Sequence, residues 1–212
     1  QGVTDGINTD WVEEVLRTGI FEQYQLSATG GGDKTSFYIS GNYRNEEGVQ
    51  VNNGFERYSA TLNLDHTSSD RLTFGNSFTI SRAKNNRVKG DNYLDAVYSA
   101  ALQALPYNSA FDEQGNLIGY GSPGFSPRNG NPLVNAVAPR YDVYTTKILG
   151  NVYAKYKIFQ GLNFRTQVSG DYNSVIEDQY QPTSTIIGGN PDYAGGKGYG
   201  ISAASSFITL IN

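Results

Sequence analysis

The spacing of apolar residues along the chain changes near Gly19. Before this residue an apolar stripe that includes Trp11 and Val15 recurs at helical spacing, and Thr9 or Asp10 can cap the helix. After it, apolar and polar residues alternate with a period of two, which indicates strands. The predicted strands cover residues 24–30, 34–45, 54–67, 71–83, 143–158, 162–173 and 199–211. The sequence therefore predicts an all-β fold.

The lengths of the strands and of their connections point to a membrane barrel. Strands of globular proteins have about 5 to 6 residues, whereas a tilted membrane strand needs roughly 9 to 11. Short turns at 30–33, 68–70 and 159–161 alternate with long connections at 46–53, 84–142 and 174–198. Outer-membrane barrels have short periplasmic turns and long extracellular loops. We therefore expect an antiparallel transmembrane β-barrel in which residues 34–45 run outward.

The connection 84–142 is too long to lack structure of its own. Apolar residues recur at helical spacing within it, so a helix is predicted at 92–105, with Asp91 as its cap and Pro106 at its end. Residues 111–117 predict a small hairpin because of their Gly-Asn turn. The acidic residues of this hairpin do not have the spacing of a calcium-binding loop.

Alternate residues of the strands separate into an apolar set and a polar set. A soluble β-sandwich would also alternate, but it has no reason to sort its aromatic residues by height. Here the apolar set has aromatic residues at both ends of the strands and aliphatic residues between them, as membrane interfaces require. Near the short turns these are Phe37, Phe74, Tyr156 and Phe164. Near the long loops they are Tyr43, Tyr58, Tyr144 and Tyr172. Asn76 in the apolar set and Leu149 in the polar set are exceptions.

Composition excludes several kinds of chemistry. Tyr (16), Phe (10) and Gly (25) are abundant, which favours strands and turns, and the net charge of −4 without a basic run argues against nucleic acid as a partner. The chain has no Cys and a single His, His66, so neither a thiolate site nor a His cluster can form. The carboxylates are scattered over different predicted strands. We predict no enzymatic activity and no cofactor.

Seven strands do not close a membrane barrel. An open edge in hydrocarbon leaves backbone groups unsatisfied at a cost of several kcal/mol each, and bacterial single-chain barrels have an even number of strands. We therefore expect this chain to be a fragment of a larger barrel, cut at both ends.

Short motifs along nearly the whole chain carry a family resemblance. They are Thr9-Asp10-Trp11, Arg17-Thr18-Gly19, Leu26-Ser27, Gly30-Gly31, Glu47-Gly48-Val49, Gly54-Phe55-Glu56-Arg57-Tyr58-Ser59, Asn63-Leu64-Asp65-His66, Ser81-Arg82-Ala83-Lys84-Asn85-Asn86, Asn131-Pro132-Leu133 and Leu149-Gly150-Asn151-Val152-Tyr153. In these motifs the sequence resembles the SusC/RagA family of TonB-dependent outer-membrane transporters.

The resemblance implies an architecture, partners and a location. The family has a barrel of about 22 strands around an N-terminal plug, is energised through TonB and is covered by a SusD-like lipoprotein lid. It imports oligosaccharides or peptides across the outer membrane. Residues 1–212 would then be an early part of the barrel domain, without the plug and the remaining strands. Its expected divisions are a loop with a helix at 1–21, four strands at 22–83, a loop at 84–142, two strands at 143–173, a loop at 174–198 and a strand at 199–212.

Two groups of residues are candidates for contacts with substrate or plug. Aromatic residues of the long loop can stack on sugar rings or peptide side chains, or pack within the loop or against a lid; they are Tyr93, Tyr107, Tyr120 and Phe125. Cations of the polar set can contact the plug, tune selectivity or solvate a channel; they are Arg44, Arg57, Lys147 and Arg165. Two alternatives to the transporter stay open, a passive porin or adhesin-type barrel and a soluble glycan-binding β-sandwich.

Overall fold

A computed structural model of the chain describes residues 6–90, 96–122, 124–125 and 130–211. Seven strands form most of it: β1 (Phe21–Gly31), β2 (Thr35–Glu47), β3 (Gly54–Thr67), β4 (Leu72–Asn86), β5 (Arg140–Phe159), β6 (Leu162–Gln181) and β7 (Tyr199–Ile211). The helices are short: α1 (Trp11–Val15), α2 (Val97–Gln103), α3 (Pro132–Val137), α4 (Ile186–Gly189) and α5 (Pro191–Ala194). None of these helices is long and apolar enough to cross a membrane.

The strands form one antiparallel sheet in the order β1-β2-β3-β4-β5-β6-β7. Each strand pairs with its neighbour in sequence, so every connection is a hairpin, as the alternation of short and long connections predicts. No second sheet is found in the described part of the chain. A β-sandwich needs two sheets packed face to face, so the sandwich alternative is wrong.

All seven predicted strands are present, but several bounds differ. The largest difference is in β6, which continues to Gln181 although residues 174–181 were predicted as loop. Likewise β5 begins at Arg140 and β4 continues to Asn86, so the loop predicted at 84–142 is shorter. Ion pairs support these strand ends, because Arg140 Nη2 lies 2.8 Å from Asp178 Oδ2 and Arg87 Nη1 lies 3.8 Å from Glu177 Oε1.

The predicted helices are shorter than expected. Asp10 caps α1 by accepting hydrogen bonds from the backbone amides of Val12 and Glu13, but α1 ends at Val15, well before Gly19. Of the helix predicted at 92–105, the described part is helical only as α2 (Val97–Gln103). Its predicted cap, Asp91, lies outside the described residues.

The strand register gathers the two predicted sets on opposite faces, here named the apolar face and the polar face. Directly opposed residues share a face, and the register opposes Tyr43 to Tyr58, Ile39 to Leu62, Ile80 to Ile148 and Tyr156 to Phe164. Many apolar side chains on this face are exposed, including Leu26 at 82%. The exception Asn76 does lie there, with an Oδ1 that has no hydrogen-bond partner among the described residues, and nothing in the structure explains it.

The buried core lies almost entirely in the long loops and not between layers of strands. Its main cluster joins α1, α2, α3 and the hairpin near Ala110; the members are Trp11, Val15, Val97, Ala101, Ala110, Leu133 and Ala136. The Trp11 indole Nε1 donates a hydrogen bond to the Leu105 carbonyl oxygen at 2.9 Å, and the Trp11 ring meets Phe125 edge to face. The loops therefore form a packed unit at one end of the sheet.

Candidate functional site

The four cations predicted to face an interior lie on the polar face of the sheet at different heights. Arg44 and Arg57 are directly opposed near the long-loop end. Arg44 pairs with Glu46 and also stacks over the rings of Phe21 and Phe55, whereas Arg57 Nε has no hydrogen-bond partner among the described residues.

Lys147 and Arg165 are the other two cations of this group. Lys147 Nζ lies 3.7 Å from Asp171 Oδ2, and both side chains are solvent-accessible, so this ion pair contributes little stability. Arg165 lies far from it along the strands, near the turn between β5 and β6. The structure thus spreads the four cations over the polar face and does not form one charged site from them.

A chain of contacts crosses the polar face near the short turns. The Tyr153 hydroxyl donates to Asp65 Oδ1 at 2.6 Å, the Arg165 guanidinium lies 4.4 Å from the centre of the Tyr153 ring, and Arg165 Nη2 donates to Gln167 Oε1 at 2.9 Å. Asp65 is on β3 and Tyr153 is on β5, so the hydrogen bond passes over β4. This array, Asp65, Tyr153, Arg165 and Gln167, is here named the polar-face array.

Gly75 of β4 makes the polar-face array possible. A Cβ atom at Gly75 would lie 2.7 Å from the Leu64 carbonyl oxygen and 2.7 Å from Tyr153 Cε1. Glycine in a strand interior often marks a place where another group approaches the backbone closely. Sequence reasoning missed this array, and Gly75 was the one signal that pointed to it.

The aromatic candidates of the long loop have different surroundings. Tyr107 is exposed, whereas Phe125 packs against the loop core with its ring centre 5.6 Å from that of Trp11. Tyr120 is half-buried against the loop after β6, where its backbone amide donates to the Ser184 carbonyl oxygen at 2.8 Å. Tyr93 lies outside the described residues. A stacking surface formed from these residues remains a prediction.

The predicted hairpin is present, and it is clamped to α3 by a buried amide. Phe111 and Leu117 form an antiparallel bridge around a turn in which Gly115 has a φ of 83°. Asn131 caps α3 and also donates from Nδ2 to the carbonyl oxygens of Ala110 at 2.9 Å and Ile118 at 3.1 Å. Sequence analysis did not predict α3, although Asn131 followed by Pro132 is a helix-start signal.

Within this hairpin Asp112 carries the clearest electrostatic effect of the loops. The Asn116 backbone amide and then its side-chain amide donate to the Asp112 carboxylate, and these bonds lower the pKa of Asp112 below its ordinary value. All the donors lie within the hairpin itself, so the effect is structural.

The geometry offers little for catalysis or metal binding. His66 Nδ1 lies 2.7 Å from Thr35 Oγ1 and its ring lies against Phe74, so it is a hydrogen-bonded residue at a strand end. Groups of three or more His, Cys, Asp or Glu side chains that could hold a metal are not found within residues 6–90, 96–122, 124–125 and 130–211. What the arrangement can do is present one apolar and one polar, charged surface on either side of a single sheet.

These features define a class. An all-β chain with one open antiparallel sheet, long strands, an exposed apolar face and, among its described residues, helices in the loops alone is a segment of a larger antiparallel barrel.

Known proteins place the chain within that class. TonB-dependent receptor P3 of Formosa agariphila is 27% identical over 186 residues, which are 85% of this chain and 18% of the receptor. TonB-dependent receptor SusC of Bacteroides thetaiotaomicron is 23% identical over 208 residues, 87% of this chain and 20% of SusC. The chain thus spans about a fifth of the length of these relatives. No family model matches it.

Solved structures agree with the sequence relatives. The RagAB peptide transporter superposes with a TM-score of 0.73 at 21% identity, over 97% of this chain and 23% of that chain. The RagAB peptide importer in its open-open state gives a TM-score of 0.69. The chain is therefore a SusC/RagA-like segment with the fold of part of a TonB-dependent transporter barrel, as its motifs predicted. The relatives carry the names of receptors and transporters and not of enzymes.

Proposed function

We propose that this chain is part of the wall of an outer-membrane transporter that imports oligosaccharides or peptides with energy from TonB. The observation that carries the proposal is the two-faced sheet: an uncovered apolar face suits lipid, and a polar face with Arg44, Arg57, Lys147 and Arg165 suits a wet interior or a plug. The similarity to SusC and to RagAB supports it.

The loops are the proposed site of contact with substrate and with a SusD-like lipoprotein lid. Loops at the long-loop end of a barrel face the outside. Exposed Tyr107 and half-buried Tyr120 are the best placed for stacking on sugar rings or peptide side chains, whereas the contact of Phe125 with Trp11 favours a packing role. Tyr93 is retained as a candidate on its sequence position alone.

Localisation tests the first part of this proposal. The full-length protein that contains this segment should fractionate with the outer membrane, require detergent for extraction and change its electrophoretic mobility on heating. A full-length protein that stays in solution without detergent would contradict the membrane assignment.

Uptake tests the second part. A strain lacking the gene should lose growth on either oligosaccharides or peptides as sole nutrient, and the gene should restore it. The variant Tyr107→Ala should lower uptake, whereas Tyr193→Ala, which alters an exposed tyrosine outside the candidate set, in the connection between β6 and β7, is the matched control. Unchanged growth of the deletion strain on both nutrients would contradict the transport assignment.

A further inference from the structure

A groove runs along the apolar face near the long-loop end of β1 to β4. One row of cross-strand neighbours contains Tyr24, Tyr43, Tyr58 and Arg82, and the next row toward the middle of the strands contains Leu26, Gly41, Ala60 and Ile80. Gly41 and Ala60, at the centre of the second row, have small side chains or none. They leave a groove between the larger residues on either side, with a volume of about 910 Å³. A Cβ atom at Gly41 would meet nothing within 4 Å.

Arg82 stands at the end of the groove with an exposed side chain and a guanidinium that binds no other described residue. The cation nearest to it on the same strand face, Lys84, already lies 3.4 Å from Asp142 Oδ2. Glu56, the carboxylate directly opposite Lys84, accepts hydrogen bonds from the hydroxyls of Tyr58 at 2.7 Å and Tyr43 at 3.3 Å. Among the described residues of this rim, Arg82 is therefore the cation that is left to bind an external anion.

The height of Arg82 matches the headgroup region of a bilayer. Amphipathic rings prefer this level, and Arg82 lies in the same row as Tyr24, Tyr43 and Tyr58. An arginine on the lipid side is costly at the bilayer midplane but costs little near the interface. An anion at Arg82 would thus be held at the surface, while an attached apolar chain would enter the groove below it.

We propose that this groove binds one lipid A molecule of the outer leaflet, with a glucosamine phosphate on Arg82 and an acyl chain along Gly41 and Ala60. The inference rests on the proposed outer-membrane location, because only then does the long-loop end face the outside of the cell and therefore the leaflet that carries lipopolysaccharide. A guanidinium binds phosphate through two parallel hydrogen bonds, which a lysine cannot reproduce. The groove supplies the complementary apolar surface.

Two variants of the full-length protein test the two halves of the site. The protein is purified in detergent, stripped of lipid and titrated with monophosphoryl lipid A, and the bound lipid is counted by native mass spectrometry. Arg82→Gln should weaken binding about fivefold or more, since a basic residue near an anionic membrane surface contributes about 1 kcal/mol. Arg82→Lys should bind lipid A more weakly than the parent protein and more tightly than Arg82→Gln. Gly41→Leu fills the groove and should also weaken binding, although the Arg82 cation is still present.

The matched control is Lys147→Gln. Lys147 lies opposite Ser81, one residue from Arg82 along β4, but on the polar face, so lipid A binding should not change. Equal binding by the parent protein and Arg82→Gln would overturn the proposal, as would equal binding of dephosphorylated lipid A or preferential binding of phosphatidylglycerol. A protein that reaches the outer membrane and binds no lipid A contradicts this inference alone, whereas a protein absent from the outer membrane contradicts the proposed function.

Discussion

The Tyr153 hydroxyl reaches the Asp65 carboxylate at 2.6 Å by lying across β4, over Gly75. Two strands that do not pair with each other are thereby joined on the polar face. The polar-face array gives β3, β4 and β5 a second connection beyond their backbone ladders.

Adding a methyl group at Gly75 should disrupt this connection. Gly75→Ala places a Cβ atom 2.7 Å from the Leu64 carbonyl oxygen, a backbone atom that cannot move without distorting β3. Overpacking of this kind costs about 1 to 3 kcal/mol. We expect a lower midpoint temperature for the heat-induced mobility change of the full-length protein in detergent.

Gly41→Ala is the control for Gly75→Ala. It makes the same substitution in β2, where the added Cβ atom has open space. Its midpoint temperature should match that of the parent. If both variants lowered the midpoint temperature equally, glycine would be required in these strands for a reason other than the approach of Tyr153.

Asn131 should control the stability of the loop unit separately from that of the sheet. Asn131→Ala removes the cap of α3 and the two hydrogen bonds to Ala110 and Ile118, all in a site where Asn131 is 2% exposed. Loss of a cap and of buried hydrogen bonds costs about 1 to 3 kcal/mol. Amide hydrogen exchange of residues 110–118 should become roughly tenfold faster or more, while that of β2 to β5 stays unchanged.

Asn190→Ala provides a matched comparison for Asn131→Ala. Asn190 also caps a short helix, α5, through its side chain, but the capping bond comes from the Asp192 amide within the same loop. Asn190→Ala should therefore leave the amide hydrogen exchange of residues 110–118 unchanged. Faster exchange there in both variants would contradict the clamp assigned to Asn131.

The sheet was predictable from sequence because a barrel strand repeats one simple pattern for many residues. Alternation identified all seven strands, and the register then placed Tyr43 beside Tyr58 and Tyr156 beside Phe164 as expected. The end of β6 was missed because residues 174–181 contain Glu and Asp, which are poor strand formers. Pairing with both β5 and β7 outweighs that local preference.

The polar-face array and the loop unit could not be predicted in the same way. The bond between Asp65 and Tyr153 joins residues 88 positions apart and depends on which strands lie on either side of β4. Phe125 was a candidate for substrate contact because aromatic loop residues often bind ligands, but its packing depends on Trp11, which is distant in sequence. A period-two pattern contains no information about such contacts.

The pH dependence of the small hairpin follows from Asp112. Its folded-state pKa is lowered, so the ionised form stabilises the turn fully above the ordinary value of 3.8, and this contribution is lost as the pH falls below 3.8 through the lowered pKa. We expect the bonds from the Gln114 and Asn116 amides to persist at pH 5 and to weaken only in stronger acid. Amide chemical shifts of Gln114 and Asn116, followed by NMR in labelled protein, would measure this.

Asp112→Asn is the control for that titration. The asparagine side chain can still accept the two backbone hydrogen bonds but has no acidic proton, so the hairpin should form with little dependence on pH below 5. In the parent protein, a midpoint of the Gln114 and Asn116 shift changes at or above pH 3.8 would contradict the lowered pKa of Asp112.

Gly150 should tolerate a methyl group better than Gly75 does. A Cβ atom at Gly150 would meet the edge of the Phe78 ring, which covers it on the apolar face, and it has no backbone neighbour within 4 Å among its three nearest atoms. The Phe78 ring is exposed on the apolar face and can swing outward, whereas the Leu64 carbonyl beside Gly75 cannot. Gly150→Ala should therefore lower the midpoint temperature less than Gly75→Ala, and Gly150→Ala combined with Phe78→Ala should remove the clash. If Gly150→Ala lowered the midpoint temperature as much as Gly75→Ala, the Phe78 ring would have to be held in place by the surrounding strands.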